Sequence, residues 1–131
     1  MIAIDTNVLI RFLTNDDPAQ SRRARRLVAH AVASGETVYI SDIVLCETVW
    51  VLDRRYGLGR PLLAHVLRSL IGASNVAFSS ADHVRAALDA FEDGRGDFSD
   101  YLICEQTAAA GSRAVFTFDK NLLKENGFLA P

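Results

Sequence analysis

The sequence is poor in the residues that most often announce chemistry. It has two cysteines, Cys46 and Cys104, and neither has a histidine close by, so no zinc motif can be built from them. Both fall among apolar neighbours inside expected helices, which reads as reduced, buried thiols rather than a disulfide or a metal site. The histidines, His30, His65 and His83, lie on different expected helices with no mutual spacing, and read as surface or boundary residues. No apolar run approaches the roughly 20 residues that cross a bilayer, and no basic segment leads an apolar stretch at the N-terminus. A cytoplasmic location is the expectation. A Gly-x-Ser-x-Gly elbow and a phosphate-cradling glycine loop are both missing, which removes the commonest nucleophile and nucleotide motifs. There is no internal repeat, low-complexity tract or linker. A strong charge of one sign is also absent. The net charge is −2, so any polyanionic partner would need a local basic patch or bound cations.

What is present is a chain of 131 residues, half of them hydrophobic and 23% charged. That is the composition of a globular domain, and the length fits one domain over residues 1–131 with a sizeable core. Met1-Ile2-Ala3-Ile4 is a short apolar run ending in Asp5, followed by Thr6 and Asn7 and then a helical pattern (Val8, Leu9, Phe12, Leu13). This predicts a buried parallel strand that delivers Asp5 to its carboxyl end, where ligands bind in open α/β sheets. Asp16-Asp17-Pro18 opens a helix running to about Ala33 and stopping near Gly35. It carries Arg22, Arg23, Arg25 and Arg26, either as a solvated face or as a surface for phosphates or an acidic protein partner.

Thr37–Ile40 reads as a second strand, and Ser41 caps a helix from Asp42 to about Arg55. On that helix Glu47 has Ile43, Val44, Trp50 and Val51 at i−4, i−3, i+3 and i+4, which predicts a core-facing carboxylate. A further helix begins at Arg60-Pro61 and ends at Gly72. A short third strand follows over Asn75–Phe78, and Ser80 caps a helix from Ala81 to about Asp93. After the turn Asp93–Asp97, a helix runs from about Phe98 to Ala110. Its first turn carries Asp97 and Asp100, three residues apart. Asp97 fits the cap better; Asp100 precedes Ile103 and Cys104 and falls on the apolar side. Ala114–Phe118 reads as a fourth buried strand, ending in Asp119 as the first ends in Asp5. A helical turn and a last extended piece over Phe128–Ala130 close the chain.

Strands alternating with helices imply βαβ units and a parallel sheet covered on both faces. Asp5, Glu47, Asp97, Asp100 and Asp119 would then share one acidic cleft. Such a group needs cations at neutral pH, and its oxygen-only donors suit Mg²⁺ or Mn²⁺. A cleft of this kind can hydrolyse a phosphodiester.

Taken together, Ile4–Leu9, Glu47 after Ser41, Asp97-Phe98-Ser99-Asp100-Tyr101-Leu102-Ile103 and Thr117-Phe118-Asp119 resemble the PIN-domain ribonucleases. Within that family the likeness is to the VapC-type toxins of type II toxin–antitoxin pairs. The resemblance covers the whole chain, with the four motifs in the family's order. It implies a three-layer α/β/α fold with four or five parallel strands, and Mg²⁺- or Mn²⁺-dependent endoribonuclease activity, often on transfer RNA. Asp5, Glu47, Asp100 and Asp119 match the family's acidic quartet, and Asp97 matches a further acid of some members. Thr6, Asn7 and Thr117 match residues that orient the carboxylates. The likeness also implies a homodimer and a VapB-type antitoxin. Other small α/β proteins fit less well. A receiver domain would need an acidic pair at the first strand and an acceptor aspartate on the third. A haloacid-dehalogenase-like phosphatase would need an aspartate where Asn7 stands. A catalytically silent RNA- or protein-binding module of the same fold is the remaining alternative.

Overall fold

The computed structural model describes all 131 residues. The sheet is parallel, as the alternation of elements requires. The strands are β1 (Ile2–Ala3), β2 (Val38–Tyr39), β3 (Val76–Ala77), β4 (Val115–Phe116) and β5 (Phe128–Leu129). The helices are α1 (Thr6–Leu13), α2 (Pro18–Ala33), α3 (Asp42–Arg54), α4 (Arg60–Gly72), α5 (Ala81–Asp93) and α6 (Phe98–Ala109). The architecture is the three-layer α/β/α arrangement, with one refinement. Backbone ladders join the strands in two groups, β1-β2-β3 and β4-β5. Ile2 faces Val38 and Val38 faces Val76 in the first group, and Val115 faces Phe128 in the second.

Local chemistry sets the helix boundaries. Asp5, Asp17, Ser41 and Ser80 each cap a helix by accepting a backbone N–H three residues ahead. Each such cap stabilises its helix by about 1 kcal/mol. Pro18 takes the first position of α2, where its missing N–H costs nothing. Gly35, past the end of α2, has φ +71°, a left-handed conformation that a side chain would strain.

The core is built from Ile4, Leu9, Val38, Ile40, Leu45 and Leu88, joined by Phe98, whose ring meets Phe91 edge-on at 6.2 Å. Helix α1 packs on α2 and α3, α4 on α5, and α6 on α3, α5 and β4. The α3–α6 contact brings the helix that carries Glu47 against the one that carries Asp97 and Asp100. Gln106 ties the two by donating Nε2–H to Asp42 Oδ2 at 2.6 Å.

Two expectations about burial are corrected. The run 114–118 is not a buried strand: Phe116 is 51% and Phe118 88% exposed. It has a ladder partner on one side only, β5, and lies at the border of its sheet group. The thiols of Cys46 and Cys104 are reduced and only half-buried. Burial pushes Cys46 up to about 11, with the charges of Asp42 and Asp100 adding to the shift, so it is a neutral thiol at physiological pH.

Candidate active site

Asp5 stands between β1 and α1 as the α1 cap. Its Oδ1 accepts the Val8 N–H at 2.9 Å, and the carboxylate is exposed. Asp119 follows β4. Its Oδ1 accepts the Asn121 N–H at 2.8 Å, and its own N–H donates to Thr117 Oγ1 at 3.0 Å. Thr117 thus meets Asp119 through the backbone N–H, while the carboxylate is held by the N–H groups of Asn121 and Leu122. The Asp5 carboxylate takes its hydrogen bond from the Val8 N–H, and Asn7 lines the same cleft as Asp5.

At the start of α6, Asp97 is the cap residue, and its backbone N–H donates to Asp100 Oδ2 at 2.8 Å. Asp100 is half-buried while Asp97 is exposed. Burial raises the Asp100 pKa above its usual value, and the charges of Asp97, Asp119 and Glu125 push the same way; the Asp97 N–H opposes them. Asp100 is thus the acid on which its neighbours' negative charge converges.

Glu47 departs from expectation. It is exposed, because α3 turns Leu45, Thr48, Val49 and Leu52 inward. Two of the apolar neighbours that suggested burial, Ile43 and Trp50, are themselves 72% and 53% exposed. Glu47 lies on an outward apolar stripe. One turn further along α3, Trp50 shares a small cleft of about 80 Å³ with Arg60, Asp97 and Ser99.

The arginines of α2 are all exposed but not equivalent. Arg25 donates to the Thr14 carbonyl at 3.2 Å. Arg23 lines the cleft that contains Asp5. Arg22 and Arg26 do neither.

Two contributors have no signature in the sequence. Glu125 Oε1 accepts from the Tyr101 hydroxyl and from the Arg95 N–H, each at 2.9 Å, and its charge reaches Asp100. Arg60 donates to the carbonyls of Phe91 at 2.7 Å and Gly96 at 2.9 Å, and stacks over the Phe91 ring. Together with the Gly96 N–H bond to Tyr101 Oη, these contacts fix the loop that presents Asp97 and Asp100. The loop tolerates no added atoms: a Cβ at Gly94 would collide with the Tyr101 side chain, and one at Gly96 with Leu122.

A common pattern runs through three of the acids. Asp5, Asp100 and Asp119 each tether one oxygen to backbone N–H groups and leave the other without a protein partner. None of Asp5, Glu47, Asp97, Asp100 or Asp119 has a cation of the chain within 4 Å. Oriented, unpaired oxygen donors are the chemistry of a hard divalent cation. The fit is one of chemistry rather than of closed geometry: no three Asp, Glu, His or Cys side chains are gathered closely enough to hold one ion together.

The model of the family described as PIN domain matches residues 2–129. The chain belongs to the PIN-domain family. Residues 2–129 include every acid discussed above, from Asp5 to Glu125. The PIN fold is in general a nuclease fold, which places this protein among the hydrolases at the level of class. No curated protein matches the chain. No helix of this PIN domain is long and apolar enough to cross a membrane.

Proposed function

We propose that this PIN domain is a Mg²⁺- or Mn²⁺-dependent endoribonuclease and the toxin of a VapC-type toxin–antitoxin pair, acting in the cytoplasm. The observation that carries the reading is the set of unpaired acids at the sheet edge, three of them with one oxygen fixed and one free. Asp5, Glu47, Asp97, Asp100 and Asp119 are the acids from which the ion's ligands would be drawn, although no three of them stand close enough to enclose it in the metal-free chain. A bound ion supplies a water acidified for attack and a counter-charge for the phosphate. The rest is done by the chain. Backbone N–H groups hold the carboxylates in place, Thr117 accepts the Asp119 N–H, and Arg60, Tyr101 and Glu125 keep the loop before α6 rigid.

Two further surfaces support the proposed partners. An apolar groove of about 460 Å³, with Phe12, Val28, Val32, Val66 and Leu70 in its walls, suits an amphipathic segment of an antitoxin. The exposed Ile43, Trp50 and Ile103 suit burial against a second copy in a homodimer.

The test is cleavage of a transfer-RNA pool by purified protein with Mg²⁺ or Mn²⁺ and with EDTA, beside Asp5→Asn purified identically. Discrete metal-dependent products, lowered at least about a hundredfold in the variant, are expected. Products that persist in EDTA or in Asp5→Asn would overturn the reading. So would no cleavage together with no metal binding by calorimetry, which favours the silent module.

A further inference from the structure

The cleft between α1 and α2 has a volume of about 430 Å³, within the range of small-ligand sites, about 300–1,000 Å³. Asp5 and Asn7 stand in its wall, and so do two guanidinium groups, Arg11 and Arg23. Arg11 is committed to the protein. Its Nε donates to Gln20 Oε1 at 2.7 Å and its Nη1 to Asp16 Oδ1 at 2.8 Å. Asp16 is itself held by the Tyr56 hydroxyl at 2.6 Å. Arg11 is therefore a fixed part of the wall whose charge is balanced by Asp16 behind it.

Arg23 has no such commitment. It forms no salt bridge, not even with Asp5 in the same cleft. An acid and a base that share a cleft without pairing leave room for a ligand that meets both, the acid through a cation and the base directly. A free guanidinium is well matched to phosphate oxygens, which it can grip through two N–H groups. The remaining lining is Val8, Gln20, Ala24 and Leu27, with no aromatic ring on which a base could stack. The cleft is therefore built for backbone rather than for base recognition.

We infer that Arg23 grips a phosphate of the RNA strand flanking the bond that is cut, and that the α1–α2 cleft is the track by which that strand leaves the acidic site. This rests on the ribonuclease reading above and assigns one arginine of the α2 group a separate role. Arg23 acts as a positioning residue, so its loss falls on binding more than on the chemical step.

The experiment compares wild type, Arg23→Ala, Arg23→Lys and Arg85→Ala, the last removing a positive charge from α5 outside the cleft. Binding of a single-stranded RNA oligonucleotide is measured by fluorescence anisotropy in Ca²⁺ across a salt series, and cleavage is measured in Mn²⁺. Arg23→Ala is expected to weaken binding about tenfold or more and raise KM with kcat little changed. It should also flatten the salt slope by about 0.7, the value for one phosphate on a single strand. Arg23→Lys should recover part of the loss. A set of oligonucleotides, each with one neutral methylphosphonate, should show one position where wild type loses affinity and Arg23→Ala does not. The inference is overturned if Arg23→Ala behaves like Arg85→Ala, or if the two proteins lose equally at every methylphosphonate. RNA that binds through Arg23 but is never cut would sink the nuclease reading and leave this contact standing. RNA that does not bind at all would sink both.

Discussion

On α4, Arg68 reaches across to α5 and takes Asp89 at 3.1 Å and Glu92 at 2.6 Å. The hydrogen bond from Arg68 holds the Glu92 carboxyl below its usual range. At the sheet edge another carboxylate meets the opposite treatment. Asp100 has burial and three other carboxylates against it, and its pKa moves up. Both groups lie at helix termini, and both are hydrogen-bonded. What separates them is that the α4–α5 face carries its own counter-charge, whereas the edge leaves that charge to come from outside. An acid that the fold has balanced serves stability; an acid that the fold has oriented and left unbalanced is available to a ligand.

The contrast can be broken from either side. The largest effect is expected from Thr117→Val, which removes the hydroxyl that accepts the Asp119 N–H while leaving every carboxylate in place. Metal-dependent cleavage should fall about 10–100-fold, as for other groups that orient a ligand. Unchanged kcat/KM would show that Asp119 needs no such support.

Asp100→Asn should have a smaller and opposite effect on the metal-free fold. The folded pKa of Asp100 lies above its usual 3.8, so the protonated form favours folding. That contribution is full below pH 3.8 and is lost as pH rises through the folded value. An amide keeps an acceptor for the Asp97 N–H but carries no charge. At neutral pH the variant should melt a few degrees above wild type, roughly 2–4 °C. The gap should close towards pH 3.5, approximately, as the wild-type acid becomes neutral too. Added Mg²⁺ should raise the Tm of wild type and not that of the variant. A pH-independent gap would remove the charge explanation.

Arg68→Ala should matter least. Its guanidinium is half-exposed, and solvent screens such pairs. A fall in Tm below about 3 °C with unchanged cleavage is expected. A large loss of cleavage would show that the two faces are coupled.

How far the sequence reached depended on whether each feature was local. The caps at Asp17, Ser41 and Ser80 need only a side-chain oxygen and an N–H three residues on, so the sequence displays them, whereas the cap role of Asp5 emerged only from the structure. The parallel sheet was legible from the alternation of runs. Glu47 was misplaced because α3 is apolar on more than one face, and spacing cannot tell which stripe turns inward. Arg60 and Glu125 were invisible because their roles depend on partners distant in sequence, Phe91 and Gly96 for one and Arg95 and Tyr101 for the other. The exposed Phe118 misled for a related reason: a run of β-forming residues predicts a strand but says nothing about how many neighbours it will have.

The sheet is hydrogen-bonded in two groups, with Asp5 following a strand of one and Asp119 following a strand of the other. No ladder fixes the spacing of those two carboxylates; it is set by helices packed across the seam, α1 on α3 and α3 on α6. Side-chain packing yields more readily to small displacements than a backbone ladder does. An ion gripped from both groups would therefore be a mechanical part as well as a chemical one, a rivet across the seam that stiffens the domain where it works.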